Sequence, residues 1–188
     1  MRYPLYKSPY SKEELYQQWV GTNWEDVHLE LIASQALLVS DYRNSNIIAV
    51  KQRQIEILNN PLIHLAAVRR VTSASRGKSP GIDGESYRTP SEKIEQVHKL
   101  GYYIKNIKHY KAIPLKRVWI PKAGTSELRP LSLPTVFDKI AQCVYYFAIN
   151  PIIEEQGCTH SFGFRPRRDV GCVVQRLLTI LRQVDSSP

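Results

Sequence analysis

An α+β fold is predicted: a helical N-terminal third, then further helices around a single β-hairpin. Three observations predict it. Apolar residues recur at helical spacing through the first 72 residues, and again over 92–107, 135–150 and 170–181. Alternation marks 113–120, with Ile113, Leu115, then Val118 and Ile120 around Lys116 and Arg117, and 128–133 is the returning strand. Turn-forming residues concentrate at 73–84 and 122–126.

The elements follow in order. Ser11-Lys12-Glu13-Glu14 has the capping-box pattern and opens a helix towards Val20. Asn23 is placed to cap a second helix that stops near Ser40, with Trp24, Val27, Leu31 and Leu38 as its stripe and Ser34 interrupting it. A third runs from Asn46 to Leu58 and meets Asn59-Asn60-Pro61. A fourth, Leu62 to Val71, puts Leu62, Leu65, Ala66 and Arg69 on one face. Arg69 and Arg70 stand in its last turn, where cations complement the helix dipole.

Ser73–Gly84 (SASRGKSPGIDG) is a loop, with Arg76 and Lys78 among its glycines and proline. Asp83, before Gly84, is read as a turn residue. Glu92–Ile107 is helical despite Gly101. Ile113–Ile120 and Leu128–Leu133 form the hairpin, joined by Lys122–Ser126, with Pro130 pointing to an edge or a bulge. Thr135–Asn150, apolar on most sides, is a core helix closed by Pro151. Cys158–Pro166 is loop or short strand. Asp169 caps the last helix, in which Val170, Val173, Val174, Leu177, Leu178 and Leu181 make an apolar stripe.

The chain has 188 residues, 43% of them apolar, enough for one domain with a core. No apolar run approaches the ~18–20 residues of a membrane span, so no membrane partner is expected. Met1–Tyr10 has neither an apolar signal-peptide core nor an Arg-rich amphipathic helix, and no cleaved targeting peptide is expected there. Cys143, Cys158 and Cys172 form no C-x-x-C pair, which argues against a disulfide framework and a zinc knuckle. Cys158 and His160 are too few for a closed zinc centre. No metal and no cofactor is expected.

Charge is unevenly spread. The net charge is +9, yet residues 1–60 hold six Lys/Arg against seven Asp/Glu, so residues 61–188 carry the whole excess. No carboxylate occurs between Glu95 and Glu127. That stretch holds Lys99, Lys105, Lys108, Lys111, Lys116, Arg117 and Lys122, interleaved with Tyr102, Tyr103, Tyr110 and Trp119. Such a surface favours a polyanion through counterion release, and its aromatics can stack on unpaired bases. The plainer reading is a solvated basic face over a core lined with Tyr and Trp.

Leu65–Gly84, Val118–Gln142 (VWIPKAGTSELRPLSLPTVFDKIAQ) and Pro151–Val170 (PIIEEQGCTHSFGFRPRRDV) resemble, in this order and spacing, the opening blocks of group II intron reverse transcriptases, the maturases. The resemblance implies a helical N-terminal extension, residues 1–72, and a fingers-like RNA-binding region, residues 73–188, with palm and thumb absent. It also implies that Lys122, at the hairpin tip, and Arg129, in R-P-L, occupy positions that contact an incoming triphosphate. Gly163–Pro166 would lie along the template–primer groove, with Arg165, Arg167 and Arg168 adding charge.

The implied RNA-binding set is Arg69, Arg70, Arg76, Lys78, Lys105, Lys108, Lys111, Lys116, Arg117, Lys122, Arg129, Arg165, Arg167 and Arg168. An Arg can grip phosphate bidentately, and a Lys supplies a point charge. Two members have a structural alternative: Arg129 paired with Asp138, and Arg165 pinning its loop through backbone carbonyls.

Polymerisation by this family needs metal ions held by carboxylates on paired palm strands and in a Y-A-D-D-like hairpin. No Y-x-D-D string occurs in these 188 residues, and Asp138, Asp169 and Asp185 fall in helical or terminal contexts. The expectation is a non-catalytic RNA-binding protein, a structural part of a ribonucleoprotein such as an organellar ribosome, contacting RNA and neighbouring proteins. The alternatives are one fragment of a split reverse transcriptase/maturase in group II intron splicing or mobility, and a splicing cofactor that binds intron RNA without polymerising. The compartment expected is the mitochondrion, organelle-encoded, with the plastid or bacterial cytoplasm as alternatives.

Overall fold

The computed structural model describes residues 6–73 and 80–185, with side chains through 182. In chain order the elements are α1 (Lys12–Val20), α2 (Trp24–Arg43), α3 (Ile47–Asn59), α4 (Pro61–Ser73), α5 (Pro90–Lys105), a 3₁₀ turn (Ile107–His109), β1 (Lys116–Pro121), β2 (Leu128–Leu133), α6 (Val136–Gln156) and α7 (Val170–Asp185). The α+β class stands, with helix predominating and one antiparallel strand pair.

Side-chain caps start the helices. Ser11 and Glu14 close both halves of the expected capping box, and Asn23 and Asn46 each accept from a first-turn N–H. A second capping box, Thr89 with Glu92, starts α5 earlier than periodicity predicted. Pro90 occupies its first turn, where a missing N–H costs nothing.

Two expectations about α4 and α6 change. The buried face of α4 is Ile63, His64, Ala67, Val68 and Thr72, together with Leu65; Leu62 and Ala66 are only partly covered. Pro151 does not close α6, which runs through it to Gln156. The proline removes the N–H that would reach the Phe147 carbonyl. Gln35 on α2 supplies the replacement, donating from Nε2 to that oxygen at 3.0 Å, and Gln54 on α3 donates to the neighbouring Ala148 carbonyl at 3.1 Å. Farther along, Arg43 grips Glu155 bidentately at 2.7 and 2.9 Å.

The core gathers around α6, whose Val136, Phe137, Ile140, Val144, Phe147 and Ala148 are all buried. Helices α2, α3 and α4 pack on it, and α5 packs on α4 and α1. One apolar cluster therefore crosses residue 72 without a break. His64 is buried in it, its Nε2 2.7 Å from the Leu58 carbonyl oxygen and its ring against Gly101 of α5. Burial holds the imidazole pKa below its usual value.

Two elements stand outside that core. No residue of β1 or β2 is buried. No described side chain of α7 is buried either, and Val174, Leu177, Leu178 and Leu181 are all about half exposed or more. Among the described residues, no helix is long and apolar enough to cross a membrane.

Candidate nucleic-acid interface

The carboxylate-free stretch divides into a buried and a solvated part. Tyr103 is buried and Tyr110 half-buried, and both pack against Phe137, with ring centroids 5.8 and 6.3 Å away. Lys99 lies with its Nζ 4.5 Å from the Phe137 ring centre, and desolvation holds its pKa below the ordinary lysine value. These residues follow the plainer reading: they make core. Lys105, Lys108, Lys111, Lys116 and Arg117 are exposed and form no ion pair among the described residues.

The hairpin register sorts its cations by face. Lys116 opposes Leu133, Val118 opposes Leu131, and Ile120 opposes Arg129, so Lys116 and Arg129 share a face with four aliphatic residues. Arg117 opposes Ser132 and Trp119 opposes Pro130, which puts an exposed guanidinium and a 56% exposed indole together on the other face. Pro130 sits in regular register without a bulge, since both strands are edges.

Arg129 is exposed and does not pair with Asp138; that alternative is excluded. The Asp138 carboxylate instead accepts from Tyr110 and Thr135. Lys122 is not free at the tip, because its Nζ meets Glu127 at 2.6 Å and its N–H donates to the Glu127 carbonyl at 2.9 Å. Both side chains are well exposed, so the pair contributes only about 0–1 kcal/mol and a phosphate can displace it. Gly124 supplies the left-handed turn residue there, with φ 74°.

The Gly163–Pro166 loop corrects a second expectation. Arg165 is turned inward: its Nη1 is 3.2 Å from Glu154 and its side chain only 12% exposed. A Cβ on Gly157 would stand 1.8 Å from that guanidinium, so only glycine leaves it room. The carbonyl-pinning role considered for Arg165 belongs to Arg168, which donates to the Thr159 and Ser161 carbonyls at 3.2 and 2.6 Å. Arg167 is exposed with φ 60°. Phe164, also at φ 60°, is fully exposed, a feature that residue spacing could not signal. Asp83 accepts from the Glu85 N–H, the turn role expected of it.

Arg69 and Arg70 are exposed near the end of α4 and lie over aromatic rings, Arg69 4.4 Å from Trp24 and Arg70 5.0 Å from Tyr146. Arg76 and Lys78 lie outside the described residues. Among those described, no group of three His, Cys, Asp or Glu is arranged to hold a metal ion.

Residues 19–100 match the family described as the N-terminal domain of reverse transcriptase. The chain is 34% identical over 120 residues to Protein YkfC of Escherichia coli (strain K12), covering 63% of this chain and 31% of that protein. It is 29% identical over 130 residues to the group II intron-encoded protein LtrA of Lactococcus lactis subsp. cremoris, covering 69% of this chain and 21% of that protein. The matches thus span a third or less of the length of these curated relatives. The chain is therefore similar to the N-terminal region of the group II intron reverse transcriptases.

Proposed function

We propose that this chain is a non-catalytic RNA-binding protein derived from a group II intron reverse transcriptase/maturase, a structural component of a ribonucleoprotein such as an organellar ribosome. In that reading residues 1–72 are the extension and residues 73–188 the fingers-like region, acting in the mitochondrion. One observation carries it: Lys105, Lys108, Lys111, Lys116 and Arg117, in the stretch free of carboxylates between Glu95 and Glu127, and Arg129 just beyond it, are exposed and form no ion pair among the described residues. Unpaired surface cations repel one another, and a phosphate chain relieves that repulsion while releasing its counterions. Trp119 beside Arg117 adds a stacking surface.

The test is a filter-binding titration of a structured RNA at several salt concentrations, comparing the natural chain with a variant neutralised at Lys105, Lys108, Lys116 and Arg117. The salt slope should fall by about 0.7–0.9 for each cation that meets a phosphate. An unchanged slope would refute the reading. Sequencing the RNA that co-purifies with the native protein then identifies the particle.

A second reading, one fragment of a split reverse transcriptase/maturase acting in group II intron splicing or mobility, is favoured by the uncovered apolar side of α7. It requires a co-purifying chain with a Y-A-D-D-like sequence.

A further inference from the structure

A cavity of 390 Å³ opens between α2, α4 and α6. Its wall is apolar, made by Trp24, Val27, Leu31, Ala66 and Phe147. Arg69 and Arg70 also line it, together with His28. The Arg69 guanidinium is 4.4 Å from the Trp24 ring centre, and Trp24 is itself held edge-on by Trp19 at 4.7 Å. Arg70 is 5.0 Å from Tyr146 and 5.5 Å from Phe147.

Neither arginine makes a hydrogen bond or an ion pair among the described residues. A guanidinium resting on an aromatic ring keeps its N–H groups available at its edge and loses little freedom when it grips an anion. If these arginines served only to finish α4, their N–H groups would reach its last carbonyls. They do not. Two pre-positioned forks beside an apolar cavity match a ligand with a flat apolar body and phosphates next to it.

We infer that this cavity is a nucleotide pocket that takes an unpaired base of bound RNA, with the adjoining phosphates held by Arg69 and Arg70. This rests on the RNA-binding reading and deepens it, because it assigns single-strand capture to the helical extension rather than to the hairpin. Trp24 and Phe147 give the base an aromatic environment, so the pocket selects for an unpaired base.

The test compares a short oligouridine with the same ribose-phosphate chain lacking bases, on the full chain. Ala66→Leu narrows the cavity and leaves every charge in place. It should weaken oligouridine binding about tenfold, the scale of one lost stacking contact, and leave the abasic chain unaffected. Arg69→Lys with Arg70→Lys keeps the charge but removes the planar forks; a several-fold loss on both chains is expected, and this pair carries the test if Ala66→Leu does not fold. Photocrosslinks from 4-thiouridine should map to α2 and α4. Wild-type oligouridine binding by a folded Ala66→Leu variant, with weakened binding by Lys116→Ala/Arg117→Ala, would overturn the pocket and leave the RNA-binding reading intact. Failure of the natural chain to bind any RNA overturns both. Crosslinks from α2 and α4 to a protein in the native particle, with RNA binding unchanged, would give the cavity to a protein side chain and overturn the proposal.

Discussion

Tyr110 donates its phenolic proton to the buried carboxylate of Asp138, which accepts a second hydrogen bond from Thr135 Oγ1 at 2.7 Å. The contact ties the segment entering β1 to the start of α6. Neither strand buries a residue, so Tyr110 and the Phe137 cluster form the base from which the hairpin extends.

Tyr110→Phe should destabilise the protein by about 1–3 kcal/mol, because it withdraws a donor from a buried carboxylate. Burial, reinforced by Asp138, pushes the Tyr110 phenol well above its ordinary pKa of 10.0. Above that pH the unfolded chain releases the proton while the folded one keeps it, so stability declines as pH rises. Urea melts from pH 8 to 11 should show a shallower alkaline decline in Tyr110→Phe.

Arg165 and Arg117 should separate fold from binding. Arg165→Ala leaves Glu154 without its partner in a half-buried site and should cost about 1–2 kcal/mol. Arg117 is exposed, so Arg117→Ala should stay within about 0.5 kcal/mol of the natural protein and weaken RNA binding instead. Thermal melts and RNA titrations of the two variants should give opposite rankings.

Leu177→Gln with Leu181→Gln on α7 should change the stability of the isolated chain by less than about 1 kcal/mol, since both residues are already half exposed. Phe137→Ala, at 0% exposure, should cost about 3–5 kcal/mol. Comparable losses in the two variants would mean that α7 is covered in solution.

Acid should weaken the fold through His64. The unfolded imidazole takes up a proton below its ordinary pKa of 6.5, and the buried one resists, so stability falls as pH drops through that value. His64→Gln can still donate to the Leu58 carbonyl but cannot titrate. Its stability should differ less between pH 7.5 and 5.5, with His98, whose pKa burial also lowers, supplying the remaining slope.

How far the site could be read depended on the kind of residue. Caps are local, so Ser11, Asn23 and Asp169 could be placed from sequence. Pro151 is a local signal too, and it misled, because the group that replaces its missing N–H, Gln35, comes from a distant helix. For cations, spacing shows where charge accumulates but not which carboxylate lies opposite. Arg129 and Arg165 looked alike in sequence, yet one is solvated and the other tucked under Gly157.

The sequence by itself determined the starts of α1, α2 and α7, the hairpin and its turn, the excess of cations, and the family blocks, all encoded within a few residues of one another. Only the tertiary structure decided which of those cations face water, that Arg69 and Arg70 lie over rings from α2 and α6, and that the apolar side of α7 is left open. The reason is physical. An amphipathic pattern specifies that a face prefers burial, whereas burial and pairing require a second surface whose position is set by the packing of the whole chain.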